Sequence, residues 1–443
     1  MIVPAPVKRV PARARVGLAL AAILLVGGAL RAEVAAHPGG GPRSGDERSY
    51  TALAFSLARG TYGDRESGLR QPLHWPPGAP ALFSAAARVD PGDAGLRLAY
   101  WLQALVGTAL IAVCFAIAAL AAGPVAGLVA AALVAVYPPL VTVTGALLSE
   151  PLGALLLASG VLALTWALRD GRLRFFALAG VLFAGTVLTR TDQLPAPPLV
   201  AAVVVLALWR TAGPRPAAAA GGALLVGFAL ALAPWVAYTS SRTGHLVAVT
   251  EGDGAALFVG TYLPGDGTTL GMKRHLGDAV RARFPSQRGR PDGRIEGPLV
   301  LALVAERRPG LPMSRALRAE AGENLRRYAL RRPGAFAGMM LAKARRTWWV
   351  SSRAGSPHAQ RATRVYHAVL VTACLALVLA GLALRRVPLL GVVAALVLAS
   401  MLVHAVFVAK PRYALPVVPL LIVGGVVAAA TLRTRPQPPT VRS

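Results

Sequence analysis

Long uncharged apolar runs recur from near residue 16 to near residue 431, and they decide what this chain can fold into. Most are long enough for a helix to cross a hydrocarbon core about 30 Å thick. A backbone placed in lipid must satisfy its own hydrogen bonds, which leaves helices or closed barrels. Of 443 residues, 55% are hydrophobic and only 15% are charged, with a mean hydropathy of +0.56. No soluble core hides that much apolar surface. Runs near 16–36, 96–122, 124–140, 147–168, 173–190, 194–210, 217–238, 365–384, 387–408 and 413–431 predict an all-α polytopic membrane protein with about ten transmembrane helices. The first run, with Lys8 to Arg15 ahead and Val34-Ala35-Ala36 behind, also has the pattern of a cleavable signal. It is read as a retained anchor.

Charge sets the orientation. Lys8, Arg9, Arg13 and Arg15 precede the first run, and Arg169, Arg172 and Arg174 follow the fourth. Arg210 and Arg215 follow the sixth, Arg385 and Arg386 the eighth, and Arg433, Arg435 and Arg442 end the chain. With ten spans these clusters share one side, which the positive-inside rule makes cytoplasmic. The expected organisation is an N-terminal membrane region (1–238) with a first external loop (37–95), a large extracytoplasmic region (239–364), and C-terminal membrane helices with a tail (365–443). The formal net charge is +28. No basic aromatic module points to nucleic acid, and membrane lipids and anionic lipid-linked partners fit the charge better. Cys114 and Cys374, the only two cysteines, both fall in apolar runs and are expected to pack rather than pair.

The charges gathered on the opposite face carry the chemistry. "SGDERSY" places Asp46 and Glu47 just beyond the first run. Ser44-x-x-Glu47 fits a capping box, with Tyr50, Leu53, Ala54 and Leu57 forming one helical stripe and Gly60 the stop. A surface helix over 46–59 follows, and the two acids have a structural reading as its cap. Glu150 opens the fourth run before Pro151, as an acid at a helix start does. Arg190, Lys410 and Arg412 stand at external span ends, where a lone cation is usually a snorkelling anchor. Together, however, the six put opposite charges on one membrane face, and that suits an ionic ligand. A carboxylate can take a proton from a hydroxyl while cations hold a phosphate leaving group. "PGDGTTLG" at 264–271 lacks the spacing of a nucleotide loop. His37, His74 and His404 lack metal-ligand spacing, and a divalent cation at the acid pair stays open. Residues 314–331 predict a helix with Leu317, Ala321, Leu325 and Tyr328 on one stripe. Pro333 opens another that ends at Trp348-Trp349, read as an interfacial anchor.

Four stretches give the chain a family likeness. "DERSY", "HWPPGAP" (74–80), "LLSEPL" (147–152) with "LTR" (188–190), and "KPRYALPVVPLL" (410–421) resemble, in order and side, the motifs of the membrane-embedded GT-C glycosyltransferases. The likeness is to glycosyltransferase family 39, with the protein mannosyltransferases and the aminoarabinose transferases of lipid A. It implies an enzyme that moves a sugar from a polyprenyl-phosphate donor to a lipid, cell-wall glycan or protein acceptor outside the plasma membrane. It makes Asp46 the candidate base or acceptor-orienting carboxylate, and Glu47 its neighbour or a metal contact. Arg190 and Arg412, with Lys410, would hold the donor phosphate. Glu150, Tyr50, His74 and Tyr413 lie in the same motifs. Many relatives have Lys where this chain has Trp75, so Lys273, Arg274 or Lys410 would have to replace it. The competing reading is a transporter or lipid flippase, which would hold polar sites at mid-membrane, often within inverted repeats.

Overall fold

The computed structural model describes residues 12–38, 45–62, 72–350, 357–385 and 387–433. Among them every regular element is helical. Seven helices are long and apolar enough to cross a membrane: Arg13–Ala36, Asp93–Ala122, Glu150–Asp170, Thr191–Ala212, Pro214–Thr243, Gln360–Leu384 and Pro388–Val406. An eighth crossing is a broken one, Pro124–Ala135 with Pro138–Gly145, bent by 57°. Two of the ten expected spans, Leu173–Thr189 and Val418–Arg433, are shorter apolar helices. At about 1.5 Å per residue they fall short of ~30 Å. Both pack within the bundle, the first against Glu150–Asp170 and Pro214–Thr243 and the second against Pro357–Arg385.

The break has a chemical cause. Pro138 and Pro139 remove two backbone donors, and Tyr137 before them is extended. The carbonyls of Val134 and Ala135 thereby lose their helical partners. Arg31, fully buried in the first helix, donates to both, at 3.2 and 2.9 Å, and to Gly27 at 2.9 Å. A guanidinium at a helix C-terminus is favoured by the macrodipole. Arg31, which ends the apolar stretch in the sequence, thus caps the broken span from inside the bundle.

Residues 253–349 form shorter helices outside the candidate membrane spans and carry a second apolar core around Phe258, Met272, Val280, Val300 and Leu317. The predicted 314–331 helix divides into Met313–Asn324 and a π-helical turn, Leu325–Leu330. The turn carries Leu325 out to solvent, and Asn324 is buried in its stead, with its amide 3.3 Å from the Thr261 hydroxyl. The next helix is Pro333–Trp349, with the expected bounds. Trp348 is no interfacial anchor, because it is fully buried in the main core. Trp349 is the partly exposed member, and its indole donates to Thr372 at 2.9 Å. Cys114 and Cys374 are buried free thiols. The cap expected at Ser44 lies outside the described residues.

Lys343 ties the helices of residues 253–349 to the bundle. Its ammonium is fully buried and donates to the carbonyls of Gly260 and Ala405, both at 2.7 Å. Burial, with Arg346 adding in the same direction, pushes its pKa down to about 7. Between about pH 7 and the ordinary lysine value near 10.4, the unfolded chain holds a proton that the folded chain has released. Stability therefore rises with pH across that window, by at most about 1.4 kcal/mol per unit. The melting temperature of the purified protein should climb from pH 7 to 10, and Lys343→Met should flatten the climb. A variant profile parallel to wild type would assign the rise to another group.

A candidate active site at one end of the bundle

The Glu150–Asp170 helix starts, and the Leu173–Thr189 and Pro388–Val406 helices finish, at one end of the bundle. Their opposite ends carry Arg169, Arg172 and the segment before Pro388, as the charge pattern requires. Asp46 joins this end from the first turn of the Gly45–Ala58 helix. That helix is not merely laid on a surface. It packs against Gly78–Val89 and buries Glu47, Tyr50, Leu53, Ala54 and Ser56.

Local devices set each group. Gln103, buried in the Asp93–Ala122 helix, donates to the carbonyls of Val143 and Thr144 at 3.1 Å, and its carbonyl accepts from the Leu148 amide at 3.3 Å. This clamp fixes the turn that delivers Ser149 and Glu150. The start of the Gly78–Val89 helix abuts the residue before Arg190. A Cβ on Gly78 would sit 2.2 Å from Thr189 Oγ1 and 2.8 Å from its Cα, so "PPGAP" needs glycine there. Gly153 leaves room for the Arg190 side chain in the same way.

The ionic groups form one unbroken chain. Lys410 Nζ lies 3.0 Å from Asp46 Oδ2, which Arg412 Nη2 also contacts. Arg412 Nε reaches Glu150 Oε1 at 3.2 Å, and Arg190 Nη1 reaches the same oxygen at 3.0 Å. Arg190 then grips Asp192 with Nε (3.2 Å) and Nη2 (2.9 Å), and His404 Nε2 meets Asp192 at 3.1 Å. Tyr50 donates to Ser149 Oγ at 3.2 Å, which also accepts from Arg190 at 3.1 Å. Tyr413 stacks among three cations, with Arg190, Lys410 and Arg412 within 5.2–6.0 Å of its ring centre. Three carboxylates thus balance three permanent cations.

Exposure grades along the chain. Glu150 is 2% exposed and Arg190 7%, whereas Asp46 is 19%, Arg412 17% and Lys410 35%. The Arg190 end is sealed and hydrogen-bonded on every side, and the Asp46–Lys410–Arg412 end opens outward. Burial by itself would raise the Asp46 carboxyl. Lys410 and Arg412 more than offset that and hold it below the usual carboxylate range. The reciprocal effect raises Arg412, where Glu150 and Asp46 outweigh burial. Glu150 Oε2 is buried, with no hydrogen-bond partner among the described residues.

The remaining predicted residues lie around this centre. Trp75 packs edge-on against Tyr50 with ring centres 5.1 Å apart, and against His74 at 4.9 Å. His74 is pressed against Gly252, and burial lowers its pKa despite the charges of Asp46 and Asp253. Of the candidates to replace a lysine at position 75, Lys410 is in contact with Asp46. Lys273 feels the charge of Lys410 and, through burial and that repulsion, titrates low. Arg274 is exposed. Asp192 and His404 join the network through Arg190, a link that their sequence positions only suggest. Among the described residues no three His, Cys, Asp or Glu side chains gather as a metal site. With two cations on Asp46, the residues present do not fit a resident divalent ion.

Residues 74–238 match the family described as dolichyl-phosphate-mannose-protein mannosyltransferase. This segment holds "HWPPGAP", "LLSEPL" and "LTR". No curated protein sequence matches the chain. Among solved structures, the oligosaccharyltransferase AglB of Archaeoglobus fulgidus, in complex with an inhibitory peptide and a dolichol-phosphate, matches 93% of this chain at 15% identity with a TM-score of 0.55. Its apo form gives 13% identity and 0.56. The chain spans about half the length of AglB, 50% in both cases. ArnT of Cupriavidus metallidurans bound to undecaprenyl phosphate matches more loosely, with a TM-score of 0.43 at 18% identity over 92% of this chain and 78% of ArnT. The resemblance read from the short motifs is met at two levels: residues 74–238 match the dolichyl-phosphate-mannose-protein mannosyltransferase family model, and the chain shares its fold with AglB.

Proposed function

We propose that this protein transfers a sugar from a polyprenyl-phosphate donor to a lipid, glycan or protein hydroxyl at the outer face of the plasma membrane. The observation that carries this reading is the open end of the charge network, where one carboxylate and two cations share a contact. The dolichol-phosphate held by the structurally similar AglB is a ligand of the proposed donor class. A transporter site would lie at mid-membrane, and these groups sit at helix ends instead.

In the resting protein Lys410 and Arg412 are engaged by Asp46. A donor phosphate competes for the same two cations. As they turn to the phosphate, Asp46 loses what lowers its pKa and becomes a stronger base, poised by donor binding. The acceptor oxygen then attacks the anomeric carbon from the side opposite the phosphate. The bond from that carbon to the phosphate oxygen breaks, and its electron pair leaves with the phosphate, held by Lys410 and Arg412. The hydroxyl proton passes to Asp46, and a single displacement inverts the anomeric centre. Arg190 acts as a positioning residue: held by Asp192 and Ser149, it fixes Glu150 and through it Arg412. Glu47, Tyr50, His74 and Tyr413 shape the walls. The test is whether the purified chain moves sugar from such a donor, with release of polyprenyl phosphate.

A further inference from the structure

The helices of residues 253–349 line an open cavity of about 650 Å³, to which no membrane-spanning helix contributes. This is within the range of small-ligand pockets, roughly 300–1,000 Å³. One wall is a single helical face. Glu320, Glu323, Asn324, Arg327, Tyr328 and Arg331 fall at i, i+3, i+4, i+7, i+8 and i+11, and all line it. The π-helical turn Leu325–Leu330 carries that face through its last turn, and such turns are frequent at functional sites. The facing wall includes Tyr262, whose hydroxyl is hydrogen-bonded to His275 at 2.8 Å, and Arg307.

The charges here are not balanced as they are around Asp46. Four arginines line the cavity against two glutamates. Glu320 is already held by Arg308 at 2.7 Å and by Arg307 at 3.5 Å. Arg327, Arg331 and Arg332 make no ion pair among the described residues, and all three are exposed. Guanidinium groups match phosphate and carboxylate in a two-pronged way. The carboxylates and Asn324 suit hydroxyl groups, and the tyrosines offer flat apolar faces. Anionic groups, hydroxyls and flat C–H faces occur together in an acidic saccharide. The donor's phosphate already has its cations at the membrane end, so this cavity is free for the other substrate.

We infer that this cavity of the external region binds an anionic saccharide, the acceptor in the transfer proposed above. The assignment to the acceptor rests on that proposal, whereas the binding itself does not. The full-length protein in phosphatidylcholine nanodiscs should bind maltose 1-phosphate roughly tenfold or more tightly than maltose, the gain expected from charge-assisted hydrogen bonds. It should also bind maltose 1-phosphate more tightly than inorganic phosphate. Raised salt should weaken the binding, since the arginines are exposed. The doubly substituted Arg327→Gln, Arg331→Gln protein, altered at exposed positions that need not disturb folding, should lose that preference. Equal binding of maltose and maltose 1-phosphate would overturn the inference, as would inorganic phosphate binding as tightly as the sugar phosphate, or an unchanged double variant. Binding is read with no donor present, so a protein that binds these probes but transfers nothing separates failure of the proposed function from failure of this site.

Discussion

Asp46→Asn should slow sugar transfer by about 100- to 10,000-fold, the usual range for loss of a general base, while donor binding is kept or tightened. The second half of this expectation follows from the geometry. Asp46 occupies Lys410 and Arg412 in the resting protein. An asparagine removes that competing charge and leaves both cations open to the phosphate. A lower KM for donor together with a much lower kcat is therefore the signature. A residue that only caps the Gly45–Ala58 helix would give neither, since Asn caps as well as Asp. Steady-state kinetics in nanodiscs, with melting temperature measured alongside, decides between the two. Near wild-type turnover would return Asp46 to a structural role.

Arg412→Ala should act on the other substrate. Truncating one partner of a buried charge pair costs about 2–5 kcal/mol, which corresponds to roughly 30- to 5,000-fold weaker donor use. Folding should suffer less, because neither carboxylate is left alone: Asp46 keeps Lys410, and Glu150 keeps Arg190. Arg412→Lys should recover only part of the loss. A single ammonium cannot reach Asp46 with one arm and Glu150 with another, as the guanidinium does. Donor affinity and melting temperature measured on the same samples separate the two effects. Unchanged affinity in Arg412→Ala would leave the phosphate to Lys410 and Lys273.

Much of this was legible in residues that break a rule. Arg190, Lys410 and Arg412 stand at span ends against the positive-inside bias, Asp46 and Glu150 are acids on the same face, and the structure brings these five into one network. Which carboxylate meets which cation was not legible, because Asp46 and Arg412 are joined only through the tertiary fold. The grading from a sealed Arg190 to an open Lys410 was hidden for the same reason: sequence places both at span ends, and only packing tells their depth. Arg31 looked like the end of an apolar run, and its role depends on a break that Pro138 and Pro139 make a hundred residues later. A period of 3.6 puts Leu325 on the buried stripe, and a π-helical turn changes that period locally. Trp348 followed the statistics of aromatic anchors, but the end of its helix lies inside the bundle.

The most direct test supplies the purified chain in nanodiscs with a panel of polyprenyl-phosphate sugars and an extract of cell-envelope acceptors, and follows the lipids and acceptors by mass spectrometry. At least one donor should be converted to polyprenyl phosphate in step with an equal gain of that sugar by an acceptor. Asp46→Asn should leave the same donor intact. A folded wild-type protein that converts no donor in the panel, or that converts one equally well without Asp46, would contradict the account.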